Sequence, residues 1–337
     1  MMLEKFNGSI HPHIITVLST FKYRGKYHLL FPWAECDLQQ YWNTRPEAPP
    51  KDRGNLLWIS EQCHQIMEAV HKIHEPPSLG TLNVEEERWG RHGDIKAENI
   101  LVFKSPKGKY ILVISDLGLG ALHRQISRSN VPNQSLPTTP AFRPPECDMK
   151  DGKISRAFDV WTLGCLFLDM IIWYLGGEPL RKQFEKARMT RYINDEETDI
   201  YFDIGKDKNG ETAFRVKLEV TKWLAEMHCH KACSQYLHEF LDLIERKMLV
   251  VETKKDKRAK AGYLAQEMRD MHRKCKTDLD YGLKEVPKPS LVTREPLVVT
   301  EHLAPTAQES VRKHNVTLSR WAGEPQQAEH SHDDNED

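Results

Sequence analysis

The chain has almost no net charge. Its 48 Lys and Arg face 49 Asp and Glu, a formal balance of −1 over 337 residues, with the signs mixed along most of the length. That balance argues against a protein built to coat nucleic acid or an acidic membrane surface. A long apolar stretch is also missing. The longest run, Val160 to Leu175, is interrupted by Asp169 and falls short of the ~20 residues a bilayer needs. It reads as a buried core helix. Met1-Met2-Leu3-Glu4-Lys5 places charge where the apolar part of a signal peptide would start, so no such peptide is expected. Cysteine is scarce, and its seven copies are odd in number and scattered from Cys36 to Cys275. That usage excludes a disulfide framework and fits a reduced intracellular protein. In His228-Cys229-His230-Lys231-Ala232-Cys233, soft and imidazole ligands at i and i+4 would share a helix face. No second ligand pair follows at zinc-finger spacing, so these read as ordinary helix residues. Apolar residues make up 39%, low but sufficient for a packed core. The length allows one large domain or two smaller ones, at roughly 100–200 residues each.

Local patterns then divide the chain. Thr16–Tyr23 and Tyr27–Phe31 are strand-like runs joined by Arg24-Gly25-Lys26, the signature of a hairpin. Asp37 is placed to cap a helix over Leu38–Trp42. The polar, Pro-rich stretch from Thr44 to Gly54 reads as a loop, and Leu56 to Ile73 carries apolar residues at helical spacing. Glu75 to Arg91 breaks that pattern and reads as an exposed insertion. Ile100–Phe103 and Tyr110–Ile114 are strands around the turn Ser105–Lys109. Ser115 to Cys147 is polar, Pro-rich and too long for a simple connector, a mark of functional loops. Asp159 to Leu175 is apolar nearly all round, so it predicts a helix buried mid-domain. Further helices are expected at Arg181–Asn194, Thr212–His230, Gln235–Val250 and Arg258–Lys274. After about Lys276 the pattern dissolves into Pro-punctuated, finally acidic sequence, expected to be disordered.

The densest chemistry lies in His92-Gly93-Asp94-Ile95-Lys96-Ala97-Glu98-Asn99, just before a strand, and in Asp116-Leu117-Gly118, just after the returning one. An antiparallel hairpin brings its two ends together. Asn99 and Asp116 can therefore offer oxygens to the same space. Few, hard oxygen ligands suit Mg²⁺ held partly by substrate phosphates.

These motifs resemble those of the eukaryotic protein kinase family, whose catalytic loop is written H-R-D-L-x-x-x-N and whose metal motif is D-F-G. Downstream order agrees. Thr139-Pro140-Ala141-Phe142-Arg143-Pro144-Pro145-Glu146 resembles the end of an activation segment. Asp159-Val160-Trp161-Thr162-Leu163-Gly164-Cys165 resembles the start of the central buried helix, and Arg258 the late arginine that pairs with Glu146. The likeness covers roughly residues 3–265, and His92 to Leu101 also resembles a group of fungal kinases. It implies an α+β, protein-kinase-like fold, with a mostly helical large lobe and an incomplete β small lobe. It divides the chain into a small-lobe remnant with hinge at 1–40, a large lobe at 41–275 and a tail at 276–337.

The implied function is transfer of the ATP γ-phosphoryl group to Ser or Thr of a protein, with ATP and Mg²⁺ as cofactors. Asp94 would accept the substrate hydroxyl proton, and Lys96 would neutralise charge on the moving group. Asn99 and Asp116 would hold Mg²⁺, and Thr139 would help orient Asp94 and Lys96. Phe31 would gate the nucleotide pocket, Pro32, Trp33 and Ala34 would form the hinge, and Leu101 would lie under adenine. The partner is a protein substrate, with no nucleic acid or membrane, in the cytoplasm or nucleus. Some features depart from the family pattern. No G-x-G-x-x-G precedes the catalytic loop and no V-A-I-K appears. Leu3-Glu4-Lys5-Phe6 resembles the last turns of the regulatory helix, so about half of the small lobe is expected to be missing. Phosphoryl transfer rests on positioning and electrostatics, so the chain alone is expected to have little activity. A catalytically inactive binding or scaffold module is the alternative. Gly93 stands where Arg usually meets a phosphorylated loop, which implies little dependence on phosphate at Ser127, Ser129, Ser135 or Thr138.

Overall fold

A computed structural model of the chain describes residues 11–75, 88–105, 108–117, 121–124, 131–132, 141–149, 152–191, 197–207 and 209–286. The first described element is a hairpin of β1 (Ser19–Tyr23) and β2 (Lys26–Leu30), in which Tyr23 faces Lys26. Only Arg24 and Gly25 remain for the turn, and both have positive φ, 47° and 77°. That is the twist-matched two-residue turn that hairpins favour.

β3 (Cys36–Asp37), β5 (Ile100–Lys104) and β6 (Tyr110–Ile114) form an antiparallel sheet in the order β3-β5-β6. Asp37 ends β3 and caps α1 (Leu38–Thr44), its carboxylate accepting from Gln40 N at 2.8 Å. Asp52 caps α2 (Arg53–His74) in the same way. α2 buries Leu56, Ile59, Cys63, Ile66, Val70 and Ile73 along one stripe. Its polar atoms finish the sheet. Gln62 Oε1 accepts from Leu112 N at 2.9 Å, and Trp58 Nε1 donates to Tyr110 O at 2.7 Å. The outer strand thus keeps its backbone groups paired.

The helix α3 (Ala157–Arg188) is buried on nearly every side through its first half. It is long and apolar enough to cross a membrane, but its apolar window is entirely enclosed by the fold. At Gly177 the helix breaks, with φ at 75°, and a Cβ there would sit 2.2 Å from Pro46 O. Glu178 N turns to Pro46 O (2.8 Å), and Lys51 Nζ donates to the carbonyl of Tyr174 at 2.5 Å. The loop between α1 and α2 therefore satisfies both groups that the break leaves over. The separate helix expected at Arg181–Asn194 is the second helical stretch, which follows the non-helical Gly177 and ends at Arg188.

Four short antiparallel pairs decorate this core. β4 (Arg88–Arg91) pairs with β7 (Ala121–Arg124), and β8 (Val131–Pro132) with β9 (Lys153–Ile154). β10 (Thr190–Arg191) pairs with β11 (Glu197–Thr198), and β12 (Phe202–Lys206) with β13 (Thr212–Val216). Two expectations are corrected here. The supposed insertion at Glu75–Arg91 ends in a strand whose Gly90 and Arg91 are buried, and its residues 76–87 lie outside the described set. The helix expected over Thr212–His230 is a strand followed by α4 (Leu218–Cys229). Turn chemistry decides this: Asp207 Oδ1 accepts from both Asn209 N and Glu211 N, and Gly210 takes φ 78°.

α5 (Gln235–Leu243) widens into a π-helical turn at Ile244–Met248, where Leu249 N donates to Ile244 O. α6 (Ala261–Thr277) lies along α2, and α7 (Leu279–Leu283) follows, with Gly282 against Leu56. Ordered structure thus continues past the point where sequence periodicity fades. The tail residues 287–337 lie outside the described set.

Candidate phosphoryl-transfer site

The site is built where the β5–β6 hairpin opens. Ile100 pairs with Ile114, so Asn99 and Ser115 are the next residues on either side. Ser115 donates to Asn99 O twice, from its N and its Oγ, each at 2.9 Å. Asp116 follows with φ at 55°, an uncommon conformation for a side chain other than glycine, and its carboxylate is exposed.

A turn of 3₁₀ helix at Ala97–Asn99 swings Asn99 back over the loop before it. Its Nδ2 donates to Asp94 O at 2.8 Å and to Asp94 Oδ2 at 2.9 Å. Lys96 Nζ lies 3.0 Å from the same Oδ2. Asp94, Lys96 and Asn99 are thus joined through one carboxylate. Since the amide nitrogen of Asn99 faces Asp94, its oxygen is the atom turned elsewhere. The described residues hold no cluster of three or more His, Cys, Asp or Glu side chains suited to a metal. The fit to Mg²⁺ therefore rests on an amide oxygen and a carboxylate, with further ligands left to phosphate and water, as this ion prefers.

Two braces hold the loop. His92 Nδ1 accepts from Asp94 N at 3.2 Å, so its Nε2 is the donor to Ser115 O, 2.8 Å away. One imidazole tautomer therefore ties the loop to the end of β6. The second brace is Asp159, fully buried near the start of α3. It accepts from His92 N, Gly93 N and His74 Nε2, each at 2.8 Å. Burial alone would raise its pKa, but the His74 contact and the backbone donor hold it below the usual carboxylate value. Gly93 has φ 86°, which glycine adopts freely.

Phe31, Pro32, Trp33 and Ala34 lead from β2 toward β3. Glu35 N donates to Val102 O at 2.9 Å, and Asp37 faces Leu101 across the sheet. Leu101, Pro32 and Ala34 are half-buried, whereas Phe31 and Trp33 are exposed. Thr139 lies within residues 133–140, outside the described set. Beyond it, Glu146 and Arg258 form a two-pronged buried pair at 2.6 and 2.8 Å, with the Arg258 guanidinium over the Trp161 ring. In the His228–Cys233 stretch, His228 Nδ1 meets His238 Nδ1 at 2.6 Å, Cys233 Sγ lies 3.6 Å from the same nitrogen, and Cys229 is exposed.

Sequence reading missed His74 and Ser115. His74 carried a signal, since it falls four residues after Val70 and so on the buried face of α2. Ser115 carried none, because its role depends on strand register.

The fold is α+β, with a helical body and small antiparallel sheets, and its loop and helix anchors define the protein kinase class. The protein kinase domain model matches residues 1–266. The chain belongs to the protein kinase family. It is 28% identical over 166 residues to the serine/threonine-protein kinase srb10 of Schizosaccharomyces pombe, covering 48% of this chain and 39% of that protein. It is 26% identical over 182 residues to the meiotic mRNA stability protein kinase SSN3 of Saccharomyces cerevisiae, covering 52% and 28%. It is 23% identical over 166 residues to cyclin-dependent kinase 8 of Drosophila melanogaster, covering 48% and 34%. The chain thus spans well under half the length of these relatives.

Proposed function

We propose that the chain carries the catalytic loop of a Ser/Thr protein kinase, which transfers the ATP γ-phosphoryl group to a protein hydroxyl. The observation that carries this reading is the single carboxylate of Asp94 shared by Lys96 and Asn99 beside the open end of the β5–β6 hairpin. In this reading Asp94 takes the hydroxyl proton and Lys96 offsets charge on the phosphoryl oxygens. Asn99 and Asp116 hold Mg²⁺, which when bound neutralises the nucleotide phosphates. Thr139 orients Asp94 and Lys96. Phe31 gates the nucleotide side, Pro32, Trp33 and Ala34 present backbone groups to adenine, and Leu101 supports its ring. Residues 1–40 then belong to the small lobe and 41–275 to the large lobe.

An intracellular setting, cytoplasmic or nuclear, is supported by seven cysteines that are all free thiols. The substrate is a protein bearing Ser or Thr.

These 337 residues contain no Gly-rich loop and no strand Lys for the phosphates. A cation 4 Å from a phosphate charge is worth ~1 kcal/mol in bulk water and ~4 at an effective dielectric near 20. Nucleotide held without lid and Lys sits in the wetter regime. The expected result for this chain is turnover below ~1 s⁻¹, the foot of the usual kinase range. The test is calorimetric titration with Mg-ATP, set beside phosphorylation of a mixed protein substrate. Weak Mg-ATP binding that disappears in Asp116→Ala supports the proposal. Binding unaffected by Asp116→Ala and Asn99→Ala, or no binding at all, favours the scaffold reading.

A further inference from the structure

Arg91, the last residue of β4, is a buried cation that the catalytic constellation does not use. It is 3% exposed, and its Nε has no hydrogen-bond partner among the described residues. Its guanidinium makes no ion pair among them either. What surrounds it carries little negative charge. The Phe158 ring lies 5.8 Å away, in a small apolar cluster with Cys147 and Ile154. Cys147 is a buried thiol whose pKa burial raises, so it stays neutral. Asp159 attracts Arg91 from beyond ion-pair distance, with its oxygens already held by His92 N, Gly93 N and His74 Nε2. Burial pulls the pKa of Arg91 below the usual arginine value, yet a guanidinium keeps its proton at any ordinary pH. A charge buried in this way is costly until a counter-charge meets it.

The chain beside it offers no carboxylate. β4 pairs with β7, with Arg91 facing Ala121 and Arg88 facing Arg124. Like charges opposite each other on a ladder repel. From Leu117 to Pro145 the sequence holds no Asp or Glu, but it does hold Ser127, Ser129, Ser135 and Thr138. The anion that suits Arg91 is therefore a phosphoryl group, whose oxygens match the guanidinium fork. We propose that Arg91 is the receiving cation of a phosphate-monoester site at the β4–β7 ribbon. The group arrives as an ester on a nearby hydroxyl of this chain or from solution; both present the same oxygens. Gly93 leaves the catalytic loop without a cation at its own position, and Arg91 supplies one two residues earlier. Arg91 also directly precedes His92, whose ring ties that loop to Ser115. An anion held at Arg91 thus steadies the entry to the loop.

Thermal unfolding of the full chain at about pH 7.5, where phosphate is mostly a dianion, tests this. Inorganic phosphate is compared with chloride at equal ionic strength. The readout needs no kinase activity, so it stands apart from the proposed function. Phosphate at about five times its Kd is expected to raise Tm by roughly 2–4 °C for a chain of this size. Arg91→Met fills similar space without charge. It is expected to melt at or above the wild-type temperature in chloride and to lose the phosphate shift. A lower Tm for Arg91→Met in chloride overturns the proposal, because Asp159 then already satisfies the cation. An equal phosphate shift in both proteins overturns it too, as a general salt effect. If Arg91→Met cannot be prepared, Arg91→Lys decides. It keeps the charge without the fork, and a phosphate shift above half the wild-type value refutes the site. The same melts separate the sources. An ester already on the chain leaves the wild type insensitive to free phosphate until phosphatase treatment, which lowers Tm by the same amount. A response without that treatment assigns the anion to solution. Insensitivity both before and after it refutes the site.

Discussion

His74 shows how much a single side chain carries. It is buried beside an equally buried Asp159, and it is the only side-chain donor that the described residues give that carboxylate. Removing it leaves a charge in the core short of a partner, a loss that costs about 3 kcal/mol. His74→Ala is therefore expected to lower unfolding free energy by about that amount in urea titrations. A change below about 0.5 kcal/mol would show that Asp159 is held by the backbone donors alone. At this scale the sequence was most legible where chemistry is local. The Asp94, Lys96 and Asn99 spacing needs only one turn to become a constellation. The His74–Asp159 contact joins positions 85 residues apart, and no local pattern announces it.

At the scale of elements, the kink in α3 is the informative case. Gly176-Gly177-Glu178-Pro179 reads as a helix end followed by a new helix, and the chain does break there. What the sequence does not reveal is how the groups freed at the break are satisfied, because their partners come from the loop between α1 and α2, from Lys51 and Pro46. Gly177 is constrained twice, by a left-handed φ and by the approach of Pro46 O. Gly177→Ala is expected to cost about 2–4 kcal/mol, measured by chemical denaturation. Gly210→Ala is the control, with a similar φ but open space around it, and should cost about 1 kcal/mol. The misread stretch at Thr212–Val216 has the opposite origin. Its strand is five residues long, too short to outweigh the longer helical pattern of α4 beside it.

Over the whole molecule, three buried histidines set the response to acid. His13, His64 and His272 are each pulled down to about 4, above all by burial. His64 has no partner on either ring nitrogen among the described residues, and its ring stacks with that of His272. In the unfolded chain these rings titrate near 6.5. Between about pH 6.5 and 4 the unfolded state therefore binds more protons, and stability falls as pH drops through that window. Asp203 works against this. Burial raises it to about 6, so its contribution is present below its unfolded value and lost as pH rises through 6. His11 and His230 are lowered too, and Asp169 is raised too. Five lowered imidazoles outweigh two raised carboxyls, so thermal melts are expected to give a lower Tm at pH 5 than at pH 7. His64→Phe should reduce that difference. An equal Tm at both values would mean that the rings reach water or that acidic groups balance them.

Asp159 is fixed near the start of the most enclosed helix, and the backbone of the candidate catalytic loop hangs from its two oxygens. The loop cannot loosen without a core carboxylate losing its donors. The reacting geometry therefore inherits the rigidity of the molecule's centre. Any motion that opens the site for turnover must come from the segments around this loop, leaving Asp94 itself as the stationary reference against which they move.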